Sequence, residues 1–175
     1  SFFGVKFQRS IEELLVSPMP TYLILVGFVL GGVVRGIIVG FLVLLTSLIF
    51  TDITVQNIPL TLLVVVMTAF LFSIAGFLNA LFADNFDDIN IVPTFILTPL
   101  IYLGGVFYSV DLLSNTWQIV SKANPLLYMV NAFRYGMIGV SDINVQFALI
   151  MITFFILIFF ALAYYLLKKG YGIRT

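Results

Sequence analysis

The sequence contains no cysteine and no histidine, and charged residues make up only 9% of its 175 positions. Without cysteine there is no disulfide, no thiolate nucleophile and no cysteine-based metal site, although compartment stays open. Without histidine, a serine or metal-dependent mechanism loses its usual base or ligand. An aspartyl mechanism needs two carboxylates sharing one site, yet Asp52, Asp84, Asp87, Asp88, Asp111 and Asp142 all fall at the ends of apolar runs or between them. No catalytic residue and no metal site is therefore assigned. The eight Lys and Arg balance the eight Asp and Glu, so no basic surface argues for nucleic acid. The phosphate-cradling pattern G-x-x-x-x-G-K-[ST] is missing too. A carrier driven by protons or sodium commonly needs an ionisable group at membrane depth. No carboxylate lies within an apolar run, and no inverted repeat stands out.

What the chain has in abundance is apolar length. Hydrophobic residues reach 62%, against about 45–50% in soluble domains. A hydrocarbon core about 30 Å thick takes about 20 apolar residues of helix, and runs at 21–50, 58–82, 89–108 and 145–167 supply them. They lack the alternation of barrel strands, and open strands would leave backbone groups unpaired in lipid. The expectation is an all-α, polytopic helical bundle, one transmembrane domain over 1–175 with four spans. The start at Ser1, without methionine or a signal-peptide pattern, predicts a segment of a longer protein.

With four spans both ends lie on one side. That side carries Lys6, Arg9, Lys168, Lys169 and Arg174, the other only Lys122 and Arg134, so the termini are expected to be cytoplasmic. Arg35 is the one charge inside a span. One reading places it about a turn from the cytoplasmic edge, snorkelling to the interface; the other gives it a place in a substrate path or an inter-helix pair. Gly32 and Gly36 on the first run, and Ala69, Ser73, Gly76 and Ala80 on the second, have the spacing that lets helices approach closely.

The third run is broken. Pro93 frees the carbonyl of Ile89 and Pro99 that of Phe95, and such breaks are tolerated where neighbours or water satisfy the freed groups. Thr94, Thr98 and Tyr102 recur every four residues and share a helix face. They either line a path between subunits, or the threonines bond local carbonyls while Tyr102 packs. The segment 110–142 that follows is too polar to cross and too apolar for an ordinary loop. Asp111 is placed to cap a helix, Asn124 and Pro125 break the chain before a second one, Trp117 suits a membrane boundary, and Arg134 is a candidate partner of Asp111 or Asp142. Near the start, Ser10 caps a short helix with Glu12 and Glu13 in its first turn, while Ile11, Leu14 and Leu15 share an apolar face and Pro18 and Pro20 stop it.

The order EELLVSPMP, apolar spans, NFDD, GGVFYSVDLL and NPLLYMVNAFRYGMIG resembles the ABC transporter type-2 permeases over nearly the whole chain. The resemblance implies six spans, of which this chain carries the last four and the tail of the second, in a bacterial inner (cytoplasmic) membrane. It implies ATP-driven export, or flipping of lipid-linked material, between two permease halves, usually a homodimer surrounded by membrane lipid. It places ATP and Mg on a partner ABC ATPase subunit and leaves this chain without a cofactor of its own. Residues 9–19 take the position of the coupling helix, so Ile11, Glu12, Glu13, Leu14, Leu15 and Val16 are expected to dock on the ATPase. Residues 110–139 take the position of outer-face, partly re-entrant helices, which makes Asp111, Trp117, Asn124, Pro125 and Arg134 candidates for an outer gate. The rivals are an ion-coupled carrier and a non-transporting structural membrane protein.

Overall fold

The computed structural model describes residues 4, 20–50, 55–107, 112 and 114–171. Among these every regular element is helical. The first long apolar run forms α1, Thr21–Phe50, and the second forms α2, Ile58–Phe82. Asn57 caps α2 by accepting the Leu60 amide at 3.1 Å, with Pro59 in the first turn, where its missing donor costs nothing. The proline-bearing stretch is helical in three consecutive pieces: α3, Phe86–Ile91; a π-helical turn, Val92–Leu97; and α4, Thr98–Leu103. Two shorter helices follow, α5, Asn115–Lys122, and α6, Pro125–Ile138. The last is α7, Val145–Lys169, capped by Asn144 and closed by a left-handed Gly170 with Lys168 and Lys169 in its final turn, the favourable end for cations. Of the described helices α1, α2 and α7 are long and apolar enough to cross a membrane.

α2 is the centre of the bundle and packs against α1, α6 and α7. Two buried clusters result. One gathers Leu25, Val29, Ile74, Leu81, Ala163 and Leu167 from α1, α2 and α7; the other gathers Val64, Leu71, Met129, Ala132, Ala148 and Ile152 from α2, α6 and α7. In lipid, apolar contact with a neighbour offers little over apolar contact with tails, so close packing and inter-helix hydrogen bonds must hold such a seam. The α1–α2 seam has both. Ser73 Oγ donates to the Val29 carbonyl at 2.8 Å, and a β-carbon at Gly32 would collide with that same hydroxyl.

These contacts fix an antiparallel register. Gly32 faces Ser73 and Gly36 faces Ala69, so Arg35 lies level with Phe70, the central residue of α2. α6 is also in register with α2. The Gln56 and Asn57 amides donate to the Met137 and Gly136 carbonyls at 3.1 and 2.9 Å, so the end of α6 meets the start of α2. Its beginning packs instead on the cluster around Val64 and Leu71, halfway along α2.

Candidate functional site

α1, α2, the start of the proline segment and α6 enclose a groove of about 1170 Å³. Its walls are mostly small or apolar, among them Phe28, Gly36, Ala69, Phe72 and Met129, and it holds two arginines, Arg35 from α1 and Arg134 from α6. At 1.5 Å per residue, Phe70 and hence Arg35 lie about 18 Å from either end of α2. Arg35 is exposed and lines the groove. α1 lies alongside α2 about a common middle. Arg35 has no ion-pair or hydrogen-bond partner among the described residues.

Arg134 is held differently. Its Nη2 donates to the Gly105 carbonyl at 2.6 Å, and its Nη1 pairs with Asp142 Oδ2 at 3.2 Å. Of the two carboxylates considered for it, Asp142 is the partner found; Asp111 lies outside the described residues. Asn131, fully buried, steadies that arrangement: its Oδ1 accepts the Asp142 amide at 2.9 Å and its Nδ2 donates to the Leu127 carbonyl at 2.9 Å.

Asn124 joins two elements. Its Oδ1 accepts the Leu126 amide at 3.0 Å as the cap of α6, and its Nδ2 donates to the Leu100 carbonyl of α4 at 2.7 Å. Pro125 occupies the first turn of α6. The Tyr128 hydroxyl donates to the Lys122 carbonyl at 2.6 Å and ties α5 to α6. Trp117 is exposed on α5. Of the outer residues singled out, then, Asn124 and Pro125 form one junction and Arg134 belongs to another with Asp142, while Trp117 stands apart from both.

Thr94, Thr98 and Tyr102 are exposed and line no part of the groove. Thr98 Oγ1 donates to the Pro93 carbonyl at 3.1 Å, and the Tyr102 ring lies 5.6 Å from that of Phe107. Ile11, Glu12, Glu13, Leu14, Leu15 and Val16 lie outside the described residues.

Sequence reasoning gave no role to Asn79 or Asn131. Asn79 Nδ2 donates to the Ile89 carbonyl at 2.9 Å, the group that Pro93 leaves without its helical amide. The signal for both was available: a side-chain amide inside an apolar helix needs a partner there. The acidic stretch after α2 also has a structural role. Asn85 accepts the Asp87 and Asp88 amides at 3.1 and 3.0 Å, and Asp88 accepts the Asn85 amide at 3.2 Å, a capping box that starts α3.

Comparison with known proteins fits this architecture. The family model described as ABC-2 type transporter matches residues 1–138. The inner membrane transport permease YadH of Escherichia coli (strain K12) is 50% identical over 175 residues, covering 100% of this chain and 68% of that protein. Nodulation protein J of Rhizobium leguminosarum bv. viciae is 24% identical over 106 residues, 61% of this chain and 41% of that protein. No solved structure matches.

Proposed function

The chain belongs to the ABC-2 type transporter family, and from that premise we propose that it works as the membrane-embedded half of an ATP-driven exporter in a bacterial inner membrane. The observation that carries the reading is the family match over most of the chain together with a relative named as an inner membrane transport permease. ATP and Mg act on a partner ABC ATPase, since this sequence has no phosphate loop. Two permease copies enclose the path, and both ends of this chain face the cytoplasm.

The proline segment completes a fourth crossing. It is helical from Phe86 to Leu103, about 27 Å at 1.5 Å per residue, and Asn79 and Asn124 each satisfy one of its carbonyls, the condition for a broken helix at membrane depth. α6 begins beside the middle of α2 and ends at its start, which supports a re-entrant outer-face element able to close an exit. Gating of that exit falls to Trp117, Asn124, Pro125 and Arg134, with Asp111 preceding them.

The segment from Ile11 to Val16 transmits force from the ATPase. In the full-length permease, Leu14→Asp together with Leu15→Asp removes the apolar docking face. The variant should insert normally yet abolish the permease's stimulation of its ATPase. Undiminished stimulation would remove the coupling role from this segment.

A further inference from the structure

The proline segment is gripped near both ends and exposed in its middle. Asn79 of α2 holds the Ile89 carbonyl close to its start. At the other end α6 holds it twice, through Asn124 on the Leu100 carbonyl and Arg134 on the Gly105 carbonyl. Gly104, between those two, is so close to α6 that a β-carbon there would stand 3.0 Å from that of Leu126. Between the grips Pro93, Thr94, Phe95 and Ile96 are exposed, and neither the π-helical turn nor α4 contains a buried residue. We propose that this turn is a two-register switch: Asn124 and Arg134 latch α4 in the π register, and their release lets it pass to an α register. The switch deepens the gating role given to those two residues and rests on that reading.

The backbone pairing brings a second register within reach. The Thr98 amide donates to the Pro93 carbonyl, five residues back, and the Thr98 hydroxyl donates to the same oxygen at 3.1 Å. An α-helix would send that amide to Thr94 instead. Pro99 has no amide to give in either case. In the π register it leaves the Thr94 carbonyl without its helical donor, and in the α register that of Phe95. One proline therefore penalises both registers alike. Single π turns are rare and recur at functional sites; this one persists where α6 fixes how α4 is turned about its axis.

A slip of one residue turns α4 by about 100°. A side chain about 5–6 Å from the axis, such as Tyr102, then travels about 8 Å. Backbone atoms about 2.3 Å from the axis move by about 3.5 Å, enough to carry the Leu100 and Gly105 carbonyls out of hydrogen-bond range of α6. The α register and the closed latch thus exclude each other, which makes the element bistable.

The test uses the full-length permease with its ATPase in nanodiscs, in a cysteine-free background. Spin labels on Tyr102→Cys and on Ile150→Cys, an exposed position of α7, report the distance from α4 to the bundle by double electron–electron resonance. An excess of unlabelled copies leaves only the pairs within one chain. The parent should be dominated by one distance. Asn124→Asp keeps the cap of α6 but, ionised, has no donor for Leu100, and Arg134→Gln weakens the grip on Gly105. Each should raise the share of a second, discrete distance about five- to tenfold. Deleting Phe95 removes the extra residue of the turn, so that Pro93 and Thr98 stand four apart and their bond becomes an α-helical one. In that background Arg134→Gln should no longer produce the second distance.

A single unchanged distance in both latch variants would overturn the switch, as would a second distance that survives the deletion. Broadening without a discrete second peak would overturn it as well, because that marks a fraying helix end instead of a change of register. ATPase stimulation by the parent, measured in the same nanodiscs, reports on the exporter reading separately. A failed switch beside normal stimulation sinks only the switch. A parent that does not stimulate its ATPase sinks the exporter reading, while the two registers stand on their distances.

Discussion

Replacing Asn79 by leucine removes a single hydrogen bond whose reason can be traced to one proline. The Asn79 amide donates to the Ile89 carbonyl at 2.9 Å, and in an uninterrupted α-helix that carbonyl would accept from residue 93, which is proline and has no N–H. Hydrogen bonds between membrane helices average about 0.6 kcal/mol and reach about 1.7, because the unfolded chain in lipid finds other partners. A carbonyl robbed of its own helical donor belongs near the top of that range, so Asn79→Leu should cost about 1.5 kcal/mol. At about 2–4 °C per kcal/mol for a domain of this size, the unfolding midpoint should fall by roughly 3–6 °C. Pro93→Ala returns the missing amide. In that background the same Asn79→Leu change should cost about 0.5 kcal/mol, a coupling of about 1 kcal/mol between two residues on different helices. Thermal unfolding of the four full-length proteins in detergent, followed by fluorescence-detected size exclusion, completes the cycle. Equal losses in the two backgrounds would refute the reasoning, because Asn79 would then matter for something other than the carbonyl Pro93 frees.

The α1–α2 seam and the Asn131 hub give two further expectations. Gly32→Val drives a branched side chain into the Ser73 hydroxyl and should destabilise the protein by about 1–3 kcal/mol, whereas Gly27→Val, with open space at its β-carbon, should stay within about 0.5 kcal/mol in the same unfolding assay. Asn131→Leu keeps the volume but strands the Asp142 amide, a loss of about 1–3 kcal/mol; hydrogen exchange at the Asp142 amide should quicken, and unchanged protection there would contradict the assigned bond.

Much of the architecture is legible because apolar length is a strong signal: the runs that become α1, α2 and α7 have the composition of lipid-facing helix and ends marked by Asn57, Asn144 and the lysine pair. The break at Asn124 and Pro125 is readable for a similar reason, since proline leaves few options for the residue before it. Relative heights are another matter. A run of thirty apolar residues does not say which twenty sit in lipid, so the position of Arg35 came only with the Gly32–Ser73 and Gly36–Ala69 contacts. The strip of Thr94, Thr98 and Tyr102 shows the same difficulty. Its four-residue spacing assumes an unbroken α-helix, and the π-helical turn over Val92–Leu97 changes the angular step between those positions. The acidic run after α2 carries no such length or pattern, yet Asp88 serves there as a hydrogen-bond acceptor in the cap of α3.

One residue type ties these observations together. Asn57, Asn85, Asn124 and Asn144 each cap a helix, and Asn79, Asn124 and Asn131 each donate to a backbone carbonyl. A chain that breaks its helices inside an apolar bundle must satisfy the backbone groups it exposes, and a charged side chain would bring its own desolvation cost to that depth. The carboxamide brings a donor and an acceptor without net charge, so one side chain can close a helix start and hold a neighbouring carbonyl at once, as Asn124 does between α4 and α6. Arg35 is the contrast that gives the pattern its force. Arg35 mends no backbone group among the described residues, whereas Arg134, the other arginine of the groove, donates to the Gly105 carbonyl.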